Sequence, residues 1–484
     1  MPSRSSATPL HLAAFAIDFH SLSAERHEKA DLMANYAIAK DSQLKRGIGP
    51  VGAISTNLLN MVGVGPFLTI PLALLAMGGP QAMVGWVLGA ALCLCDGLVW
   101  AELGSAMPNS GGSYHYLLQV FGSNGLGRPM SFLLLWQSLL SGPLTIASGA
   151  VGFSEYAAFL SPSITHRQQV LMAMAICCLC TVLLYRNIRS IGTITVLMTT
   201  VVVGTCCWIV ASGTLNFHAS MAFSFPPGAF HLSRSFWGGL GAATLIAVYD
   251  YGGYNNVCFV GGEVLEPRKN IPRAVILSIC IVAVLYLLMN ISILGALDWH
   301  TAEHSHAVVA DYMQIVYGHW AGVLVSILIL IVSFGSVFAN LLGYSRIPYA
   351  ASAEGNFFSI FARLHPAGGF PTVSLVFVGA LATIACLFSL GELINVLIVV
   401  QAIFQFAAQC IAVMLLRRQQ PDATDRYRMP FYPLPAIIAL LGWIYIVATS
   451  GLWNIAIGLG TALIGLAAYL VKAKHGQEWP FETA

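Results

Sequence analysis

Long apolar segments alternate with short polar segments between about residues 47 and 472 of the chain. Most apolar segments hold about twenty residues, and a helix of that length crosses a hydrocarbon layer about 30 Å thick. The pattern therefore predicts an all-α polytopic membrane protein with twelve transmembrane helices. These helices are expected near residues 47–77, 81–105, 129–160, 168–185, 190–213, 236–262, 272–297, 320–344, 372–390, 392–416, 431–449 and 452–472.

The composition supports a membrane protein and excludes a soluble one. Hydrophobic residues make up 57% of the chain and charged residues only 9%, whereas soluble domains carry roughly 25% charged residues. The net charge is +2, and so little basic surface excludes a nucleic-acid partner. The composition predicts the lipid bilayer as the main partner of the chain.

The charges of the loops predict the orientation of the chain. If the N-terminus is cytosolic and the loops alternate, all lysines and arginines except Arg167 and Arg234 lie on the cytosolic side. This distribution follows the positive-inside rule. We therefore expect cytosolic N- and C-termini in a multi-pass protein of the plasma, or inner, membrane.

The first predicted helix is interrupted near its middle, where Gly63, Val64, Gly65, Pro66 and Phe67 follow one another. Proline removes a backbone donor and clashes with the preceding turn, and the two glycines weaken the helix further. An opened turn at membrane depth is tolerated where a cavity or a ligand satisfies its backbone groups. These five residues are therefore candidate substrate-binding residues.

The sixth predicted helix contains a second interruption at the same relative position. Its candidate substrate-binding residues are Tyr249, Asp250, Tyr251, Gly252 and Gly253. An ionisable side chain at membrane depth is costly and is a functional candidate by default. The carboxyl group of Asp250 could bind a cationic substrate group, carry a proton, or cap the ends of the broken helix.

The two interruptions lie in register. Gly252 follows Gly65 by 187 residues, and the starts of the two helices, near residues 48 and 235, lie the same distance apart. Interruptions at matching positions of two halves are typical of transporters built from inverted repeats. The alternative interpretation is that the glycines only allow close packing of neighbouring helices.

Four further polar residues are candidates for coupling or gating. Asp96 and Glu102 lie in the cytosolic half of the second predicted helix. Ser333 and Ser336 are three residues apart on the eighth and share one face, so their hydroxyl groups could help to hold a sodium ion. Serines that only pack between helices are the alternative.

The sequence gives no sign of an enzyme. The segment from His300 to His304 matches the H-x-x-E-H pattern of zinc peptidases, but it lies in a short loop without a catalytic domain. The nucleotide-binding pattern GxxxxGK[ST] does not occur in the chain, which argues against an ATP-driven pump. We expect no cofactor and no metal site.

Several motifs occur in an order that resembles the amino acid–polyamine–organocation permease superfamily, over about residues 48–420. The resemblance implies a five-plus-five inverted repeat, like that of the bacterial leucine transporter, followed by two added helices. The motifs are AELGSAMPNSGGSY at 101–114, YGGYN at 251–255, GEV at 262–264, EPRKNIPRA at 266–274, SRIPYA at 345–350 and HP at 365–366. The implied divisions are a tail at 1–46, repeats at 47–213 and 214–418, two helices at 419–472 and a tail at 473–484.

The resemblance also implies roles for the candidate residues. In that family the substrate carboxylate meets amides of the first interruption, the amine meets both interruptions, and the residue matching Tyr249 is an aromatic gate. This chain departs from the pattern because Val64 has no hydroxyl group and Pro66 has no N–H. The lysine that proton-coupled members often carry in helix 5 is not available, since residues 190–213 contain none.

The sequence thus predicts a secondary active transporter for amino acids or related amines. We expect symport with a coupling cation, with a proton favoured over sodium, by alternating access. A polyamine uptake carrier is an alternative, because the Gly-Pro-Phe interruption and the GEV motif are similar to the plant and protozoan polyamine-uptake branch. A non-transporting membrane sensor or subunit is an alternative of another class.

Overall fold

The computed structural model describes residues 46–109, 111–122, 125–185, 191–353, 356–365, 371–421, 423, 425–476 and 479–481. The predicted N-terminal tail therefore lies, except for Arg46, outside the described residues. All candidate site residues named above lie inside them. Within this part of the chain the structure is helical, with isolated β-bridges such as that between Ile48 and Val264.

Nineteen α-helices are present in the described residues. They are α1 Pro50–Met61, α2 Thr69–Met77, α3 Met83–Ala106, α4 Ser113–Val120, α5 Gly127–Leu160, α6 His166–Leu184, α7 Ile191–Gly213, α8 Ala219–Ala222, α9 Arg234–Tyr251, α10 Asn256–Phe259, α11 Pro267–Leu294, α12 Trp299–Ala302, α13 Val308–Tyr317, α14 His319–Ala353, α15 Thr372–Ala385, α16 Leu390–Gln401, α17 Ala407–Gln419, α18 Leu434–Thr449 and α19 Leu452–Gly476. A π-helical turn, Ala402–Phe406, joins α16 to α17.

Seven helices of the described chain are long and apolar enough to cross a membrane, and three shorter ones are also apolar. The bounds agree with the predicted ones to within a few residues for most helices. Two differ more, since α14 continues to Ala353 instead of ending near 344, and α9 ends at Tyr251 instead of continuing to 262. The second difference arises because the glycines after Tyr251 end the helix.

Both predicted interruptions are present in the backbone. The α1 helix ends at Met61, a 3₁₀ turn covers Gly65–Phe67, and α2 begins at Thr69. After α9 the chain turns through Gly253, whose φ of 106° suits glycine because a side chain would be strained there. The backbone thus leaves the helix at both places, and each interruption is followed by a short helix.

Two sets of closely packed helices can be distinguished among the described residues. In the first, α3 packs against α9, α11 and α18, while α9 also packs against α2. In the second, α5 packs against α6, α14, α15 and α16, and these helices share a separate hydrophobic cluster. The ring of Tyr249 packs against both clusters. The two interruptions therefore lie where the groups of helices meet.

Apolar side chains also cover much of the outer surface. On α19, Leu452 is 87% exposed, Trp453 77% and Leu463 68%. Exposed apolar faces of this extent mark contact with a membrane or a partner, and these belong to helices of membrane-spanning length. The described chain is a polytopic α-helical membrane protein.

Candidate functional site

The interruption between α1 and α2 leaves backbone donors free, while carbonyl groups at both of its edges accept side-chain hydrogen bonds. The Met61 carbonyl accepts a hydrogen bond from the Tyr286 hydroxyl at 2.9 Å, and the Phe67 carbonyl accepts one from Tyr156 at 2.7 Å. The N–H groups of residues 63–65 have no hydrogen-bond acceptor among the described residues. Successive free N–H groups at an opened turn form a site for an anion such as a carboxylate.

The side chain of Asp250 crosses from the last turn of α9 to this opened segment. It is 2% exposed, and its Oδ2 accepts a hydrogen bond from the hydroxyl group of Thr69 at the start of α2. Its Oδ1 is buried without a donor among the described residues. That oxygen lies against Gly65, where an added Cβ would overlap it. One carboxylate oxygen thus lies unsatisfied beside the free amides.

Tyr249 and Tyr251 point to different parts of the molecule. The Tyr249 hydroxyl forms a hydrogen bond with Ser148 on α5 at 2.8 Å, and its ring edge lies 3.1 Å from where a Cβ on Gly65 would stand. Tyr251 stacks instead on Tyr286 of α11, with ring centroids 5.6 Å apart. Of the two, Tyr249 is the one that contacts the second helix group among the described residues.

The second interruption contacts the C-terminal half of α1 through Gly253 and Asn57. A Cβ on Gly253 would lie 3.0 Å from the backbone of Asn60 in the last turn of α1. The Asn57 side chain donates to the Tyr254 carbonyl at 2.6 Å and accepts from the Val257 N–H at 2.8 Å. Asn57 thereby fixes the turn after α9 to α1, a role that the sequence analysis did not identify.

The two candidate serines of α14 are not equivalent. The Ser336 hydroxyl oxygen lies 3.3 Å from where a Cβ on Gly63 would stand, so it borders the opened segment. The Ser333 hydroxyl is buried and donates to the Ile329 carbonyl of its own helix at 2.8 Å. Ser336 is therefore the one of the pair that faces the candidate site.

Asp96 lies in a separate buried network. Its Oδ2 accepts a hydrogen bond from the Tyr254 hydroxyl at 2.6 Å, and its Oδ1 accepts one from the Trp443 indole at 3.0 Å. The Cys410 thiol lies 3.8 Å from the same Oδ1. Asp96 thus contacts the turn after α9 through Tyr254, and both of its carboxylate oxygens are satisfied.

Glu102 forms a two-point ion pair near the end of α3. Both of its carboxylate oxygens lie 2.7 Å from nitrogens of the Arg417 guanidinium. The Met429 N–H also donates to Glu102 at 2.9 Å, and the guanidinium stacks 4.1 Å over the Tyr432 ring. This carboxylate joins α3 to α17 and to the segment before α18, and it does not reach Asp250.

The H-x-x-E-H segment does not form a metal centre. The described residues contain no group of three His, Cys, Asp or Glu side chains that could hold a metal ion. Nitrogens of His300 and His304 lie 3.8 and 3.5 Å from one Glu303 oxygen. The motif is therefore a cluster of loop contacts on and after α12.

Comparisons with known proteins find similarity to an amino acid permease family and to amino acid transporters and exchangers. The family described as amino acid permease matches residues 51–471. The chain is 26% identical over 446 residues to the serine/threonine exchanger SteT of Bacillus subtilis, covering 88% of this chain and 96% of the relative. It is 29% identical over 443 residues to the rat large neutral amino acids transporter small subunit 2, covering 88% and 81%. It is 27% identical over 423 residues to the mouse Asc-type amino acid transporter 1, covering 84% and 77%.

Proposed function

We propose that this chain, which belongs to the amino acid permease family, is a secondary active transporter whose amino acid substrate binds between the two interrupted helices. One observation carries the proposal. Backbone N–H groups are free at residues 63–65, and the last of these residues, Gly65, lies against the buried carboxyl group of Asp250. The free amides carry partial positive charge, and the C-terminal end of α9, from which Asp250 projects, carries partial negative charge, so together they suit a molecule with both a carboxylate and an ammonium group.

The free amides of the first interruption would hold the substrate carboxylate. The N–H groups of residues 63–65 carry partial positive charge, and Pro66 removes only the next donor along the chain. The substrate ammonium would bind carbonyl oxygens at the C-terminal end of α9, where the helix dipole is negative. The named relatives are described as amino acid carriers, so we favour an amino acid over a polyamine.

We propose that Asp250 carries the coupling proton. An ionised Asp250 would repel the substrate carboxylate, by about 3 kcal/mol for charges about 5 Å apart at an effective dielectric constant near 20. A proton on Oδ1, the oxygen that lacks a donor, removes this repulsion. Proton and amino acid would then bind cooperatively, as symport requires.

The architecture that we propose for this transport is twelve spanning helices, with repeats at 47–213 and 214–418 and two added helices at 419–472. The matched interruptions support it, since they fall 187 residues apart. Both termini would be cytosolic in the plasma, or inner, membrane, as the distribution of lysine and arginine favours. Alternating access would then expose the interrupted segments to each side in turn.

Two closures would control access to the site. Tyr249 and Ser148 join the two helix groups beside Asp250, so breaking their hydrogen bond would separate the two groups at the substrate site. The ion pair between Glu102 and Arg417 joins α3 to α17, at the end that we place on the cytosolic side. We propose the first as the gate over the substrate and the second as the cytosolic closure.

Uptake into proteoliposomes tests the function. Purified protein would be reconstituted and given labelled serine, threonine, leucine, arginine or putrescine, with the inside alkaline or at equal pH. We expect accumulation of at least one amino acid that depends on the pH gradient. Uptake that requires amino acid inside the vesicles and does not depend on the pH gradient would show exchange instead of symport. Absence of both uptake and exchange for every compound would favour the non-transporting alternative.

Two variants test the role of the carboxyl group. Asp250→Asn mimics the protonated side chain, so we expect amino acid binding that no longer weakens as the pH rises. Asp96→Asn is the matched control, because both Asp96 oxygens already accept hydrogen bonds. Its affinity can change, but the pH dependence of amino acid binding should remain that of the wild type. If Asp250 instead pairs with the substrate ammonium, binding should strengthen as the pH rises, and Asp250→Asn should abolish it.

A further inference from the structure

The indole of Trp443 belongs to α18, which lies beyond the two predicted repeats, yet it reaches the centre of the first helix group. Its Nε1 donates to Asp96 of α3 at 3.0 Å. Its ring stacks on Phe406, with centroids 4.2 Å apart and planes 12° from parallel. Phe406 ends the π-helical turn between α16 and α17, and such turns are frequent at functional sites. The position of this indole is thus fixed on two sides.

Asp96 connects this indole to the turn after α9. The Tyr254 hydroxyl donates to the second carboxylate oxygen of Asp96 at 2.6 Å. Asp96 is 0% exposed, and Tyr254 and Trp443 are each 1% exposed. Water therefore cannot replace either donor. Without Asp96, the Tyr254 hydroxyl and the Trp443 N–H would each be buried without a hydrogen-bond acceptor. Asp96 thus links Tyr254 to Trp443 through two hydrogen bonds, with the Cys410 thiol as a weaker third donor.

Tyr254 in turn contacts α1, the helix that precedes the first interruption, through its backbone. Its carbonyl accepts the hydrogen bond from Asn57 of α1 at 2.6 Å. The preceding residue, Gly253, packs against the backbone of Asn60. A chain of contacts therefore runs from α18 through Asp96 and Tyr254 to the end of α1. Movement of the Tyr254 ring would shift the turn that presents the α9 carbonyls.

We infer that Asp96 and Trp443 are positioning residues for the substrate site, so that α18 sets amino acid affinity by holding the turn after α9. This inference rests on the proposed binding of an amino acid between the interruptions. Asp96 differs here from Asp250, because both of its oxygens accept hydrogen bonds whereas Asp250 has one oxygen without a donor. Asp96 therefore serves as a hydrogen-bond acceptor that stays in place, and α18 contributes to substrate binding through it.

Three variants of the full-length protein test the inference by a double-mutant cycle. Trp443→Phe removes the N–H and keeps a ring against Phe406, Tyr254→Phe removes the hydroxyl group, and the third variant combines the two. We expect each single change to raise the amino acid KM by about tenfold with kcat changed less, because binding weakens while the closures remain. The double variant should show less than the product of the two effects, as coupled residues do.

The control is Trp453→Phe on α19, whose side chain is 77% exposed and which should leave KM unchanged. An unchanged KM in Trp443→Phe, or effects that multiply fully in the double variant, would overturn the inference. A lower melting temperature of Trp443→Phe with an unchanged KM would likewise overturn it, because Trp443 would then contribute only to packing.

A second measurement does not depend on transport. Hydrogen–deuterium exchange in nanodiscs reports the opening of backbone amides in residues 252–259. We expect Trp443→Phe and Tyr254→Phe to speed exchange there and Trp453→Phe to leave it unchanged. If the wild-type protein transports no amino acid, the proposed function is wrong, but the exchange rates still show whether α18 holds the turn after α9. If the exchange rates of the two variants equal those of the wild type, α18 does not hold the turn.

Discussion

The Oδ1 atom of Asp250 lies against the backbone of Gly65, with no space for a methyl group between them. The contact joins the last turn of α9 to the 3₁₀ turn that follows α1. It places the one carboxylate oxygen that lacks a donor next to the free amides of the opened segment. The close approach of the Asp250 carboxyl group to the opened segment therefore depends on the absence of a side chain at residue 65.

Replacing Gly65 with alanine should block transport. The new methyl group would overlap Asp250 Oδ1 and press on the Tyr249 ring, so the carboxyl group must move away from the amides. We expect kcat/KM for amino acid uptake to fall by at least about tenfold, which corresponds to roughly 1.4 kcal/mol. Gly343→Ala on α14 is the control, because a Cβ there would meet open space. Equal uptake by both variants would contradict the close contact.

The hydrogen bond between Tyr249 and Ser148 gives a second prediction. It joins the two helix groups at 2.8 Å, and a neutral hydrogen bond contributes about 0.5–1.5 kcal/mol. Tyr249→Phe and Ser148→Ala should each lower kcat/KM by roughly 2–10-fold, because the closed state loses this bond. The kcat/KM of the double variant should be no lower than that of the single variants. Fully additive losses measured by uptake kinetics would show that the two groups act separately.

The sequence predicted the interruptions correctly because their causes are local. Gly65 and Pro66 weaken one helix, and Gly252 and Gly253 end another, whatever surrounds them. Membership of the permease family was also predictable, since its motifs are short and ordered along the chain. The twelve-helix count and the internal repeat stay predictions.

The partners of the candidate residues could not be predicted, because they are distant along the chain. Ser148 bonds a residue 101 positions away, and Thr69 bonds one 181 positions away. Nothing in an apolar helix marks which hydroxyl group will face a carboxylate across the bundle. For the same reason the sequence grouped Asp96 with Glu102, although these carboxylates bind different partners.

The side chain of Asn57 gives a third prediction, which concerns stability. It is 0% exposed and bonds both the Tyr254 carbonyl and the Val257 N–H. Asn57→Ala leaves both groups buried without a partner, and we expect a loss of roughly 2–4 kcal/mol in the free energy of unfolding. Asn454→Ala is the control, because the half-buried Asn454 side chain bonds only a carbonyl of its own turn. Unfolding in a titration with sodium dodecyl sulfate measures both, and equal losses would refute the prediction.

The ion pair of Glu102 with Arg417 should contribute far more to the free energy of unfolding than the ion pair of Arg268 with Asp425. Glu102 has a side chain that is 0% exposed, so Arg417→Ala leaves a buried carboxylate with only the Met429 N–H. Breaking such a pair costs about 3–5 kcal/mol. The second pair is 52% and 63% exposed, and Arg268→Ala should cost less than about 1 kcal/mol. Detergent titration of both variants tests this order, and equal losses would mean that water reaches Glu102.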